Sequence, residues 1–154
     1  MKRKLVGLLF LIATVGILLA AFWATNLFGW RKWRIQEVQS FIGADLPAQS
    51  QAVQFATESQ FGRIVWLRFE LPAGVDLAPF LASLALTEPL RDGWTPFPAP
   101  NPQEAGLPWW TSHQAANFAG TYENTGQKII ELLADRSDPT RQLIYLRAYT
   151  IAAR

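Results

Sequence analysis

RIVWLRFEL, residues 63–71, is the stretch whose reading decides the fold. In an extended chain Val65, Leu67, Phe69 and Leu71 point one way. Ile64, Trp66, Arg68 and Glu70 point the other. This period of two, apolar on one side and partly charged on the other, predicts a strand of an antiparallel sheet. Trp66 and Ile64 on the second side predict partial cover there too. Just upstream, Gln51 to Ser59 alternates Val53, Phe55 and Thr57 against Gln54, Ala56 and Glu58. Gln60-Phe61-Gly62 forms the turn between the two runs, and together they predict a hairpin.

Working outward, Pro72 ends the strand and Asp76 is placed to cap a helix running to about Leu86. Leu77, Phe80, Leu81 and Leu84 form its apolar stripe, with Pro79 in the first turn. On the other side, residues 34–43 (RIQEVQSFIG) carry Ile35, Val38, Phe41 and Ile42 at helical spacing, with Gly43 as a stop signal. Thr111 to Phe118 reads as a further short helix. The last third reads as a meander. Phe118–Glu123 and Gln127–Asp135 flank Asn124-Thr125-Gly126, where Gly supplies a left-handed turn residue. After the turn Asp135–Thr140, residues 141–151 alternate Ile144, Leu146 and Ala148 against Leu143, Tyr145, Arg147 and Tyr149. The expectation is an α+β fold, ββ-α-loop-βββ, with a small antiparallel sheet packed with one or two helices. It occupies residues 35–154 as a soluble domain containing a Pro/Trp-rich loop at 87–110.

The N-terminal 34 residues have a different character. From Leu5 to Trp30 there are twenty-six residues without a charge, flanked by Lys2-Arg3-Lys4 and Arg31-Lys32-Arg34. A bilayer core needs about 20 apolar residues in a helix, so this stretch predicts one transmembrane helix. Its length exceeds a signal h-region, and Leu19 and Phe22 spoil the small-residue cleavage rule, so an uncleaved signal anchor is expected. Charge is nearly balanced across it. The free amino terminus tips the orientation toward a cytoplasmic N-terminus and an extracytoplasmic C-terminal domain. Trp23, Trp30 and Trp33 sit where an aromatic belt would lie. Ala13, Gly16, Ala20 and Ala24 share one helix face and would let a second helix approach closely, in a partner or a homodimer.

The formal charge of +2 belongs to that segment. Beyond Arg34, eight basic residues face twelve acidic ones, which leaves the domain at −4 and excludes a nucleic-acid footprint. There is no cysteine, hence no disulfide framework, thiolate metal site or c-type haem attachment. His113 is the one histidine, and no nucleophile elbow accompanies Ser112 or any other serine. Asp135 and Asp138 share a turn without the EF-hand pattern, and Glu58, Glu70 and Glu131 are not brought together by anything in the sequence. No phosphate loop or dinucleotide fingerprint appears. The reading is therefore a non-enzyme without cofactor or metal.

What stands out is the loop. Six of the ten prolines lie between Pro89 and Pro108, including PFPAPNP at 96–102. Proline at alternate positions forbids a regular helix or central strand. Trp94, Phe97, Trp109 and Trp110 either pin this arm to the core or form a ligand or partner surface. Four stretches, LPAQSQAVQFATES (46–59), IVWLRFELP (64–72), FLASL (80–84) and PWW (108–110), resemble a group of uncharacterised membrane-anchored or lipoprotein-type bacterial domains. The resemblance spans most of residues 35–151. It implies one compact domain, carries no catalytic motif and adds nothing on function. Two functional expectations follow. The first is a non-catalytic single-pass membrane protein, an accessory or structural subunit of a larger membrane assembly. The alternative is a membrane-tethered binding module that uses the Trp94–Trp110 loop for a peptide, glycan or small ligand.

Overall fold

A computed structural model describes residues 14, 16, 34–58, 63–97 and 104–151. The chain divides into two compact units, residues 1–38 and 39–154. In the smaller unit Thr14, Gly16 and residues 34–38 are helical. The helix α1, residues 34–42, ends at Gly43, whose φ of 85° is the left-handed cap that glycine adopts without strain. Gly43 and Ala44 both donate their N–H to the Gln39 carbonyl, which closes the last turn.

The larger unit is built on one six-stranded antiparallel sheet. Its strands are β1 Gln51–Glu58, β2 Ile64–Pro72, β3 Arg91–Asp92, β4 Phe118–Asn124, β5 Lys128–Asp135 and β6 Arg141–Thr150. Their order across the sheet is β1-β2-β6-β5-β4-β3. The long β6 lies between β2 and β5, pairing Leu67 with Leu146 on one side and Leu132 with Leu146 on the other. The alternation read in residues 63–71 is realised there. Val65, Leu67, Phe69 and Leu71 are buried on one face with Ile130, Leu132, Ile144, Leu146 and Ala148. Burying each such large aliphatic or aromatic side chain contributes about 1.5–3 kcal/mol before chain entropy is counted.

The helix α2, Ala78–Ser83, covers this aliphatic face. Its Phe80 meets Phe69 edge-on at 5.5 Å, and Leu77 and Leu84 of the same stripe are buried. The N-cap position falls on Leu77 and not on the foreseen Asp76, which stands one residue earlier and accepts the Ala78 N–H at 2.9 Å, with Pro79 in the first turn. Lys128, at the start of β5, donates to the carbonyls of Phe41 and Ile42 at 2.9 and 3.0 Å. A lysine on free helix-end carbonyls suits both their hydrogen bonding and their dipole.

The α+β expectation with a transmembrane helix is corrected by these elements. The domain is mostly β, a six-stranded sheet with only short helical pieces. The chain over Thr111–Phe118 makes a single 3-10 turn, Ser112–Gln114, and then enters β4. The backbone explains why. The N–H groups of Ala116 and Asn117 are both taken by Ser137 Oγ, at 2.9 and 3.0 Å, so they are not free for a helical ladder. The helix foreseen to Leu86 stops early because Ala85 turns left-handed at φ 55°, and Leu86 N–H reaches back to the Leu81 carbonyl. Residues 91–92 of the loop add the unforeseen strand β3, paired with Gly120 and Ala119. Among the described residues no helix is long and apolar enough to cross a membrane. Most of Leu5–Trp30, including Ala13, Ala20 and Ala24 of the foreseen helix-packing face, lies outside the described residues; Gly16 of that face is helical and exposed.

Candidate functional site

The second face of the sheet carries Trp66 on β2, Tyr145 on β6 and Leu133 on β5; register sets Leu133 opposite Tyr145 and Trp66 opposite Arg147, two residues along β6. The proline-rich arm closes over them. Phe97 and Trp110 are buried in one cluster with these three residues, and Trp109 and Leu107 pack at its edge. The rings meet at steep angles: Phe97–Trp110 at 5.2 Å, Trp110–Tyr145 at 5.3 Å and Trp109–Trp110 at 5.9 Å. Such edge-on pairs contribute about 0.5–1.5 kcal/mol each beyond their buried area. Tyr145 Oη is hydrogen-bonded to Thr111 Oγ1 at 2.9 Å, which fixes the descending end of the arm. The buried indole N–H groups of Trp66 and Trp110 have no acceptor among the described residues, a polar cost that the aromatic area must offset.

Glycine at position 120 makes the close crossing possible. A Cβ there would lie 2.6 Å from the Trp94 carbonyl oxygen and 2.7 Å from Pro96 Cδ. Glycine inside a strand marks such an approach of another backbone.

Beside the aromatic cluster sits a buried ionic group. Arg147 donates from Nε to Glu131 at 2.6 Å and from Nη1 to Glu104 at 2.8 Å. All three side chains are about nine-tenths buried. The guanidinium also lies 5.3 Å from the Phe97 ring centre and 5.9 Å from that of Tyr149. Glu104 opens a short 3-10 turn of the arm, Glu104–Gly106, so Arg147 ties the arm to β6. Two carboxylates share one cation. Burial pushes the Glu131 carboxyl above its ordinary value; the Arg147 hydrogen bond and charge pull against this, and Glu104 adds repulsion. Its two carboxylate partners hold Arg147 protonated, against its burial.

Trp94 and Tyr122 form the accessible end of this face. Their rings are 6.0 Å apart and tilted by 37°, and the Arg91 guanidinium stands 5.7 Å from the Trp94 ring centre. Tyr122 is 47% exposed and Trp94 is half-buried. The strip that carries them is anchored on β4. Thr121 Oγ1 donates to the Glu88 carbonyl at 2.9 Å, and Glu123 accepts the Thr87 N–H at 3.0 Å. The Thr87 contacts hold the Glu123 carboxyl below its ordinary value.

Of the four aromatic residues singled out in the arm, Phe97 and Trp110 thus belong to the core cluster, while Trp94 and Trp109 are half-buried. Tyr122, missed in the sequence, joins Trp94; its place in the foreseen strand Phe118–Glu123 was the available signal. His113 is exposed on the 3-10 turn. Asp135 and Asp138 serve their own turn, accepting the N–H groups of Ser137 and Thr140 at 2.9 Å. Of the carboxylates Glu58, Glu70 and Glu131, none meets another: Glu70 binds Arg68 and Arg141, and Glu131 joins Glu104 instead. Among the described residues no group of three or more His, Asp or Glu side chains is placed to hold a metal ion.

A crevice lies elsewhere, on the α2 side. It measures about 660 Å³ and is lined by residues of the 45–49 segment, the 74–76 turn and α2. No family model, curated protein or solved structure matches the chain.

Proposed function

We propose that this chain is a non-catalytic, membrane-associated accessory module that holds a partner protein through the Trp94–Tyr122 end of its sheet. The carrying observation is the composition and exposure of that spot. Trp, Tyr and Arg are the residue types that dominate interface hot spots, and Trp94, Tyr122 and Arg91 are assembled there in ring contact. A half-exposed tryptophan clamped on a rigid strand loses little freedom when a partner covers it. The rim is charged with both signs, with Arg91 on Glu88 at 2.6 Å and Arg136 near Asp92 at 3.7 Å, as a polar interface rim would be. Membrane association rests on the uncharged stretch Leu5–Trp30 with its basic flanks.

The test is purification of the full chain from its native membranes in a gentle detergent. A partner at fixed stoichiometry is expected. Trp94→Ala and Tyr122→Ala should each weaken that complex by about tenfold or more, since hot-spot truncations cost about 2 kcal/mol. Circular dichroism should stay unchanged. Recovery of the wild type as a free monomer, or equal retention of partner by both variants, would overturn the reading.

A further inference from the structure

We infer that the crevice beside α2 is a binding site for a small organic amine: an ammonium carried on an apolar body. The inference stands apart from the Trp94–Tyr122 reading and concerns the opposite face of the sheet. The crevice, at about 660 Å³, falls in the range of small-molecule sites, roughly 300–1,000 Å³. Its base is Phe80, which is buried and fixed edge-on against Phe69. Pro47, Val75 and Pro79 supply apolar walls. These walls are held in place. The buried Gln142 donates to the Val75 carbonyl at 2.8 Å, and Val75 N–H bonds the Pro72 carbonyl at 3.1 Å.

The charge of the crevice is one-sided. Asp45 and Asp76 line it, and no lysine, arginine or histidine does. Elsewhere in the domain the carboxylates of Glu70, Glu88, Asp92, Glu104, Glu131 and Asp138 carry arginine partners, while those of Glu123 and Asp135 accept hydrogen bonds from Thr87 and Ser137 instead. Asp45 and Asp76 have no cationic partner among the described residues. Asp76 is preoriented as well, because its Oδ1 accepts the Ala78 N–H and its other oxygen remains for a ligand. An apolar floor with uncompensated carboxylates at its walls selects an amine over an alcohol or an acid of the same shape.

The experiment titrates the full chain in a neutral detergent with 2-phenylethylamine and, in parallel, with 2-phenylethanol, following backbone amide NMR shifts. For the amine, shifts should centre on Gly74, Val75, Asp76 and Ser83. The alcohol should bind at least about fivefold more weakly, the scale of one exposed charge pair, and the amine's advantage should shrink at high salt. Asp45→Asn and Asp76→Asn should each cost the amine a similar factor. Asn at 76 can still accept the Ala78 N–H, so the helix start is kept. Equal binding of amine and alcohol, shifts centred elsewhere, or binding unmoved by either substitution would overturn the assignment.

Discussion

The two faces of this sheet are covered in different ways. The α2 face is aliphatic and closed by a regular element: Phe80 meets Phe69 edge-on, Leu77 and Leu84 are buried with it, and among the described residues no ion pair joins these side chains. The other face is closed by an irregular arm. It depends on edge-on aromatic contacts, on one glycine and on the Arg147–Glu131–Glu104 group. A helix satisfies its own backbone and needs only an apolar stripe. An arm with prolines cannot do this, so side chains must fix its path. The contrast predicts where each cover fails.

The largest effect should come from the ionic anchor. Arg147→Met strands two buried carboxylates, and loss of one partner of such a group costs about 3–5 kcal/mol. Urea unfolding of the variant should show this loss at neutral pH. The sharper form replaces all three at once with Arg147→Met, Glu131→Leu and Glu104→Met. An apolar exchange of a whole buried ionic group is often neutral or stabilising. Recovery of stability in the triple variant would show that the anchor supplies the position of the arm more than its stability. Failure to recover would mean that the charges themselves hold the face together.

Gly120→Ala is next. The new methyl would press on the Trp94 carbonyl and the Pro96 ring, both within 2.7 Å, and backbone cannot yield as a side-chain tip can. Overpacking of this kind costs about 1–3 kcal/mol. The arm should lift locally, with a changed Trp94 fluorescence. A comparable substitution on the helix-covered face has no backbone crossing to disturb.

These two sites show what was readable beforehand. The faces of residues 63–71 were legible because a strand's period of two needs no distant partner. The Asn124-Thr125-Gly126 turn was legible for the same reason. Gly126 takes φ 80°, and its N–H bonds the Asn124 side chain at 2.9 Å. Arg147 and Glu104 lie 43 residues apart, and their meeting depends on the β5–β6 register and on the route of the arm. No local pattern encodes that. The strand β3 was invisible because two exposed residues carry no periodicity. The α+β reading overcounted helix where Ser137 and Ala85 divert the backbone. Among the candidate surface residues, the aromatic content of the arm was visible, but which rings turn inward was not. Trp94 and Trp110 differ only in what the sheet offers beneath them: Gly120 and Tyr122 under one, Tyr145 under the other.

The ionic anchor should also leave a pH signature that the aliphatic face lacks. Burial raises the Glu131 carboxyl in the folded chain above its ordinary value of 4.5. The folded state therefore holds its proton more tightly than the unfolded state. That contribution is complete below pH 4.5 and is lost as pH rises through the raised value. Asp138, held low by Thr140, acts in the opposite sense: its contribution is present above its ordinary value and fades as pH falls through the lowered one. Comparing Glu131→Gln with the wild type removes the second effect, because both chains keep Asp138. The stability of the variant relative to wild type should rise with pH from about 4 to 8, measured by urea titration, as a modest slope. A flat or falling difference would mean that Arg147 fully compensates Glu131.

The smallest effect belongs to the helix-covered face, and it should be a gain. Ala85 closes α2 in the left-handed region at φ 55°, with Ala85 N–H on the Ala82 carbonyl and Leu86 N–H on the Leu81 carbonyl. This is the position where helices favour glycine, because a Cβ there crowds the following carbonyl. Ala85 is exposed, so its methyl supports no core contact. Ala85→Gly should therefore stabilise the domain by about 0.5–1 kcal/mol, the relief of strain exceeding the added freedom of the unfolded chain. The arm-covered face offers no equivalent: at Gly120 the glycine is already present because the crossing requires it. If Ala85→Gly were destabilising, α2 would owe its ending to packing of Leu84 and Leu86, and this face too would be closed by side chains more than by backbone.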